Sequence, residues 1–164
     1  MTIEFYGGLL SNFSPHPIEV DGKQYPTVEN WFQSQKAHGI DPDHEELVRT
    51  EQDAWQAKRL GRTGPLRPDW EAVKEAVMYR GLRAKFTQHP ELAAELVATG
   101  WEEIVEHTPV EPPFADFYWG DGGTGAGRNR LGCLLMRLRG ELQTVHYGNT
   151  PALKRAYRGR GLLG

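Results

Sequence analysis

A two-residue turn signal near the start of the chain constrains its fold most directly. Asp21-Gly22 separates two short runs, Ile18–Val20 and Lys23–Tyr25, and this dipeptide is typical of a tight β-hairpin. The proline that follows ends the second strand, and Thr27 is a favourable N-cap. We therefore predict a hairpin followed at once by a helix that runs to about His38.

Capping and breaking residues divide most of the remaining chain into helical regions. These regions are expected from Asp41 to about Gly61, from Asp69 to His89, from Pro90 to Thr99 and from Arg130 to Leu142. The last of them has leucines spaced to face inward, at positions 131, 134, 135 and 138. Short strands are expected near residues 2–6 and 101–107. The predicted fold class is α+β, a mostly helical single domain with a small β-sheet.

Length and charge limit the organisation of the chain. Its 164 residues suit one domain, which would bury roughly 70% of its unfolded surface. A formal net charge of −3 argues against sequence-blind binding of nucleic acid, although it allows recognition of one modified nucleotide. We predict a catalytic domain over residues 1–143 and a basic C-terminal tail over 144–164 that is loosely ordered.

Other residue patterns bear on location and metal binding. Cys133 is a single cysteine and cannot form an intrachain disulfide, and neither a signal peptide nor a membrane span is expected. The protein is therefore predicted to be cytoplasmic, with no membrane partner. Its six histidines are scattered without the spacing of a zinc site, so no metal is predicted. The sequence leaves the oligomeric state open.

Glu29 and Lys36 are the first candidate pair for chemistry. On a helix beginning near Thr27 they are seven residues apart, so they return to nearly the same face with Cα atoms roughly 10 Å apart. That distance suits the two sides of a bound ribose. The alternative is an ordinary solvated helix face.

The second candidate region is acidic, aromatic and then rich in glycine. Asp116 precedes Trp119 by three residues, which suits a carboxylate beside an aromatic wall, with core burial of the tryptophan as the alternative. Four glycines between 122 and 127 precede the last helix, so backbone amides there could hold phosphates, helped by Arg128. A mobile surface loop is the alternative reading of this stretch.

Several motifs occur together, in one order, along most of the chain. They are Leu10-Ser11-Asn12-Phe13, Tyr25-Pro26-Thr27-Val28-Glu29, Gln35-Lys36-Ala37, Leu60-Gly61-Arg62, Arg67-Pro68-Asp69-Trp70, Leu82-Arg83-Ala84-Lys85-Phe86, Asp116-Phe117-Tyr118-Trp119-Gly120, Gly125-Ala126-Gly127-Arg128-Asn129 and Leu131-Gly132-Cys133-Leu134-Leu135. In this combination the chain resembles the NADAR (YbiA-like) family, from about Phe5 to Leu142.

The resemblance implies an N-glycosidase that cleaves the C1′–N bond of a ribosyl compound without a metal or cofactor. It implies required roles for Glu29, Trp70 and Asp116, places the motif lysine at Lys36, and puts Asn12 and Phe13 in the pocket lining. The other residues expected to contact substrate are Arg62, Trp119, Gly120, Gly125, Gly127, Arg128 and Asn129.

For the implied chemistry we assign Lys36 as a nucleophile that forms a Schiff base, Glu29 as proton shuttle and Asp116 as stabiliser, with the two carboxylates exchangeable. Partial burial should hold the pKa of Lys36 below its usual value of about 10.4. The first substrate hypothesis is ADP-ribosylated guanine in nucleotides, DNA or RNA. The alternatives are ribosyl-phosphate intermediates of early riboflavin synthesis and a non-catalytic module that binds ADP-ribose or NAD.

Overall fold

The computed structural model describes residues 1–147. In that part the chain forms four strands and six helices: β1 (Thr2–Phe5), β2 (Ile18–Val20), β3 (Lys23–Tyr25), α1 (Val28–Ser34), α2 (Pro42–Thr50), α3 (Ala54–Thr63), α4 (Trp70–Gln88), α5 (Pro90–Ala98), β4 (Glu103–Glu106) and α6 (Arg130–Tyr147). The predicted α+β, mostly helical class is confirmed. Of the predicted basic tail, residues 148–164 lie outside the described residues.

The chain divides into two compact units. One runs from Phe5 to Leu92 and contains the predicted hairpin, in which β2 and β3 pair antiparallel with Ile18 opposite Tyr25. The other combines Met1–Glu4 with the chain from Ala93 onward. There β1 pairs with β4, and α6 packs against β4 with Leu131, Leu134, Leu135 and Leu138 buried, as their spacing predicts. No helix among residues 1–147 is long and apolar enough to span a membrane.

Helix α1 is the centre of the Phe5–Leu92 unit. All seven of its residues are buried, and it packs against α2, α3 and α4. Its polar side chains are therefore held by specific partners: Thr27 accepts the amide of Asn30, and the Asn30 side chain donates to the carbonyls of Val48 and Glu51. Glycine in α4 permits the close packing, because a Cβ at Gly81 would overlap the indole of Trp31.

The helix that begins at Thr27 is shorter than predicted. After Ser34 the backbone changes to bonds between residues three apart, from the amides of Lys36, Ala37 and His38, which tighten the chain into turns. Lys36 therefore lies beyond the helix, and the prediction that Glu29 and Lys36 share one helical face is wrong. A local sequence pattern could not show where tertiary packing ends this helix.

Two other helix boundaries differ in detail from the prediction. The region expected from Asp41 to about Gly61 is two helices, because Asp53 caps α3 through the amide of Trp55. Asp69 is the N-cap residue of α4, but its carboxylate makes no capping hydrogen bond and instead pairs with Arg67.

Candidate active site

Glu29 is a buried carboxylate in the first turn of α1, with 4% of its surface exposed. Its Oε1 accepts a 2.8 Å hydrogen bond from the side-chain amide of Gln33, one turn along the helix. Burial raises the pKa of Glu29, and this outweighs the opposing effects of Lys58, Gln33, Lys36 and Arg62. A carboxyl group with a raised pKa can hold a proton and donate it near neutral pH.

Lys36 lies in the turn after α1 and faces two aromatic rings. Its Nζ is 5.8 Å from the ring centroid of Phe32 and 5.9 Å from that of Trp70, and these rings lie 5.0 Å apart. Burial lowers the pKa of Lys36 to about 8; Glu29 opposes this change, whereas Arg62 and Lys58 add to it. Within residues 1–147 its ammonium has no hydrogen bond and no ion pair. The lowered pKa increases the fraction of the amine that is neutral near pH 7, and the neutral form is the one that can attack a carbon atom.

The backbone of Lys36 is fixed by the segment before α4. The amide of Arg67 donates to the Lys36 carbonyl at 2.7 Å, and the amide of Trp70 donates to the carbonyl of Arg67. This connection holds Trp70 beside Lys36 and explains why a tryptophan at the beginning of α4 is buried. The sequence predicts a required role for Trp70 but not its position beside Lys36, and that role stays a prediction.

The segment of residues 9–14 contributes Asn12 and Phe13. Asn12 is 7% exposed; its carbonyl accepts the amide of Glu29, and its side-chain amide contacts the sulfur of Met78. Among residues 1–147, its Oδ1 is buried without a hydrogen-bond partner, as is Oε1 of Gln33. Two unpaired buried acceptors in the same unit as Glu29 and Lys36 are suited to hydroxyl or N–H donors of a substrate.

Helix α3 adds two cations to the site, Lys58 and Arg62. Arg62, an expected substrate contact, is exposed and affects the pKa values of both Glu29 and Lys36. Lys58, which was not predicted, is the charge that most lowers the pKa of Glu29. The sequence signal for it is a stripe at spacings of three and four, because Trp55, Lys58 and Arg62 share one face of the helix.

The other candidate carboxylate, Asp116, belongs to the unit that starts at Ala93. Its Oδ1 accepts the amides of Tyr118 at 3.0 Å and Trp119 at 2.8 Å, so one oxygen shapes the local turn. Trp119 is half-buried and packs edge-on against Tyr118. The catalytic role of Asp116 and the substrate contacts of Trp119 and Gly120 stay predictions.

The glycine-rich stretch is not the open phosphate cradle that its composition suggests. The amides of Gly122, Gly123 and Gly127 donate to the Asp116 carbonyl, the Asp121 carboxylate and the Asp121 carbonyl. The next four amides, of residues 128–131, bond to carbonyls of residues 117–120. These donors are already paired, so the expectation that they hold phosphates is corrected.

Side chains around this stretch also have structural partners. The Asn129 side chain accepts the amide of Glu106 and donates to the carbonyl of Ile104, which ties it to β4. Arg128 is exposed, with its guanidinium 5.6 Å from the ring centroid of Tyr118. At Gly125, no atom of residues 1–147 lies within 4 Å of where a Cβ would be. Substrate contacts by Gly125, Gly127, Arg128 and Asn129 stay predictions.

The structure thus brings together Asn12, Phe13, Glu29, Lys36, Arg62 and Trp70 in one compact unit. Glu29, a buried carboxyl group with a raised pKa, and Lys36, an amine with a lowered pKa, each affect the pKa of the other. Such a pair is suited to attack on a sugar carbon coupled to proton transfer. We therefore expect these residues to serve an enzyme that transfers or cleaves a glycosyl group.

Comparison with known proteins agrees with this class of site. A family model described as the NADAR domain matches residues 4–143. The N-glycosidase YbiA of Escherichia coli strain K12 is 50% identical over 147 residues, which cover 85% of this chain and 88% of that protein. Its NMR structure matches with a TM-score of 0.79 at 47% identity, covering 91% of this chain and 88% of that one. A riboflavin biosynthesis protein of Vibrio vulnificus is 43% identical over 138 residues, which cover 83% of this chain and 36% of that protein.

The chain belongs to the NADAR domain family. It is an enzyme of the N-glycosidase class, a hydrolase that acts on N-glycosyl compounds.

Proposed function

We propose that this enzyme hydrolyses the bond between C1′ of ribose and the base nitrogen in ADP-ribosylated guanine, within nucleotides or nucleic acid, and releases ADP-ribose. The observation that carries the proposal is Lys36, an amine whose pKa is about 8 and which has no hydrogen-bond partner within residues 1–147, in the same site as the buried Glu29. A binding module needs no such amine.

In the proposed reaction the neutral amine of Lys36 bonds to C1′ while the bond from C1′ to the base nitrogen breaks. The base leaves with the proton of Glu29, and the carboxylate then takes a proton from the lysine nitrogen. Opening of the ribose ring, with transfer of the remaining N–H proton to the ring oxygen, gives an imine. Water adds at C1′ and restores both the lysine and the aldehyde form of the sugar.

The charge around the site supports a phosphorylated substrate. Three cationic side chains, Lys36, Lys58 and Arg62, influence the single carboxylate Glu29. Among residues 1–147, none of the three has an ion pair, so the site retains an excess of positive charge that a diphosphate would neutralise. In this proposal Trp55, which is 49% exposed, contacts the second base of the substrate.

In this proposal Asp116 orients or stabilises the reacting sugar. Its Oδ1 is used by two backbone amides, whereas its Oδ2 has no hydrogen bond within the described residues. A carboxylate with one oxygen fixed and one available can act on developing positive charge without changing its position.

A second candidate substrate is a ribosylaminopyrimidine phosphate of early riboflavin synthesis. The Vibrio vulnificus relative, which is named a riboflavin biosynthesis protein, favours it. The same lysine and carboxylate would serve, and the same cations would hold a single phosphate.

Chromatography of products from the two substrate classes tests the proposal. The enzyme should release ADP-ribose from ADP-ribosylated guanosine, and Lys36→Arg, prepared in the same way, should release none. Rapid cleavage of the pyrimidine ribosylamine phosphate, with ADP-ribosylated guanosine left intact, would replace the first substrate by the second. Binding of ADP-ribose without cleavage of either substrate would favour the third hypothesis, a non-catalytic module that binds ADP-ribose or NAD.

A further inference from the structure

The α3 face next to the reacting pair combines a cation with two aromatic rings. Lys58 Nζ lies 5.3 Å from the ring centroid of Phe13 and 5.5 Å from that of Trp55. The two rings pack against each other with centroids 4.5 Å apart and planes tilted by 34°. Trp55 is 49% exposed, so about half of its surface faces solvent beside the ammonium.

Lys58 is half-buried and has no oxygen acceptor in the described chain. Within residues 1–147 it forms neither a hydrogen bond nor an ion pair of 4.0 Å or less. Lys58 lies on α3, which packs against the α1 helix of Glu29, and its charge lowers the pKa of Glu29 in opposition to burial. Ring faces compensate only partly for the water that a lysine loses on burial, so the ammonium retains capacity to bind an anion.

We propose that Lys58, Phe13 and Trp55 form a nucleotide subsite, in which Lys58 binds a phosphate group and the exposed indole of Trp55 stacks on an aromatic base. The inference rests on the proposed function, because ADP-ribose has both groups within one substrate. The proposed subsite identifies residues that bind the diphosphate and the adenine base, the part of the substrate that is remote from the broken bond. Binding there places the ribose carbon that reacts within reach of Lys36.

An alternative role for Lys58 is only to adjust the proton affinity of Glu29 from a distance. The two roles differ in what they change. A phosphate contact changes the affinity for phosphorylated ligands in the absence of any reaction, whereas an effect on Glu29 changes the pH dependence of the rate and leaves such binding unaltered.

Calorimetric titration with inorganic pyrophosphate, ADP and adenosine separates these roles. Lys58→Gln should weaken binding of pyrophosphate and ADP by about tenfold or more and change adenosine binding by less than about twofold. Lys58→Arg should restore most of the phosphate affinity because it keeps the charge. Trp55→Ala should weaken ADP and adenosine by about tenfold and leave pyrophosphate unchanged.

Arg59→Gln is the matched control, because Arg59 is the next residue on the same helix, is exposed and has no ion pair within residues 1–147. It should change no affinity by more than about twofold, since exposed charges act weakly at a distance in salt. Equal losses in Arg59→Gln and Lys58→Gln would overturn the subsite in favour of general attraction. So would unchanged binding of pyrophosphate in Lys58→Gln, or a lack of binding of ADP and pyrophosphate to the unsubstituted protein.

These titrations require no turnover, so their outcome is separate from that of the substrate assay. If the protein cleaves no ADP-ribosylated guanosine and yet loses ADP affinity in Lys58→Gln, the subsite stands and the proposed reaction fails. If the substrate is cleaved and Lys58→Gln binds ADP normally, the reaction stands and the subsite fails. Lys58→Gln and Trp55→Ala should both retain the melting temperature of the parent protein within about 3 °C, because neither side chain is fully buried.

Discussion

Two lysines in the Phe5–Leu92 unit, Lys36 and Lys85, are both removed from water, and they differ in what replaces the water. Lys85 is 1% exposed on α4, and its Nζ donates to the carbonyls of Leu9 and Ser11 and to the hydroxyl of Ser14. Lys36 Nζ lies 5.8 Å and 5.9 Å from the ring centroids of Phe32 and Trp70 and has no hydrogen-bond acceptor among residues 1–147. Burial lowers both pKa values, to about 7 for Lys85 and about 8 for Lys36.

The surroundings of each amine therefore determine its use. All three N–H groups of the Lys85 ammonium are engaged by oxygens, which favour its protonated form and leave no room for a substrate carbon. Those oxygens belong to the segment that contains Asn12 and Phe13, so Lys85 holds in place the residues that are predicted to line the pocket. Lys36 also has a lowered pKa, but its amine makes no hydrogen bond to an oxygen of residues 1–147. A lysine with a lowered pKa can therefore act as a nucleophile only where its amine is not already held by hydrogen bonds.

The largest expected effect on activity comes from replacing Lys36, the lysine whose amine makes no hydrogen bond. Lys36→Arg keeps a positive charge but cannot form an imine, so turnover of ADP-ribosylated guanosine should fall by about 10³-fold or more while ADP-ribose still binds. Borohydride added during turnover of the unsubstituted enzyme should trap the sugar on Lys36, located by digestion and mass spectrometry. Lys85 should remain unlabelled.

If borohydride trapped the sugar on Lys85 instead of Lys36, Lys85 would be the reactive lysine and its hydrogen bonds would not protect it from substrate. Full activity in Lys36→Arg would instead remove the covalent mechanism and leave direct attack by water, with a carboxylate as the base.

The next effect concerns the carboxylates. Glu29→Gln should reduce the single-turnover rate by about 10²-fold, because the amide cannot transfer a proton, while the near-identical volume preserves the packing of α1. Asp116→Asn keeps an oxygen to accept the amides of Tyr118 and Trp119, so it tests charge alone at that position. A near-native rate in either variant, measured alongside unchanged melting temperature, would make that carboxylate structural.

Replacing the occupied lysine should act on stability more than on chemistry. Lys85→Met has a similar length but leaves three oxygens without their donor, so the free energy of unfolding should fall by about 3 kcal/mol. Denaturant titration measures this loss. Phe86→Leu, a core change at the next residue of α4, is the control for packing alone and should cost about 1 kcal/mol. A Lys85→Met protein as stable as its parent would show that the three hydrogen bonds contribute nothing to the fold.

Much of the fold is predictable because it depends on local signals. Asp21-Gly22 has positive φ at both positions, and the hairpin forms with the expected strands. Thr27 caps α1, and the leucine stripe of α6 is buried. Each of these rests on the backbone preference of one or two residues or on a helical period, which a sequence displays directly.

The details of the site depend on tertiary contacts and are predicted less well. The helical period could not reveal that Lys36 lies past the end of α1, nor that most amides of the glycine-rich stretch are already paired. Lys85 could have been found, since it continues the buried stripe of Met78 and Leu82 at spacings of four and three, where a lysine needs acceptors. Which oxygens serve as those acceptors is set by a segment more than 70 residues away in sequence.

The smallest effect is a shift of the pH profile that depends on Lys36 being unoccupied. Only the neutral amine attacks, so the single-turnover rate should rise with pH around the Lys36 pKa of about 8. Arg62 lowers that pKa and Glu29 raises it. Arg62→Gln should therefore move the rising limb to higher pH by a fraction of a unit, and the residual activity of Glu29→Gln should show a limb moved to lower pH. Arg59→Gln, on the same helix, should leave the limb in place. Movement of both variants in one direction would mean that the rising limb reports a group other than Lys36.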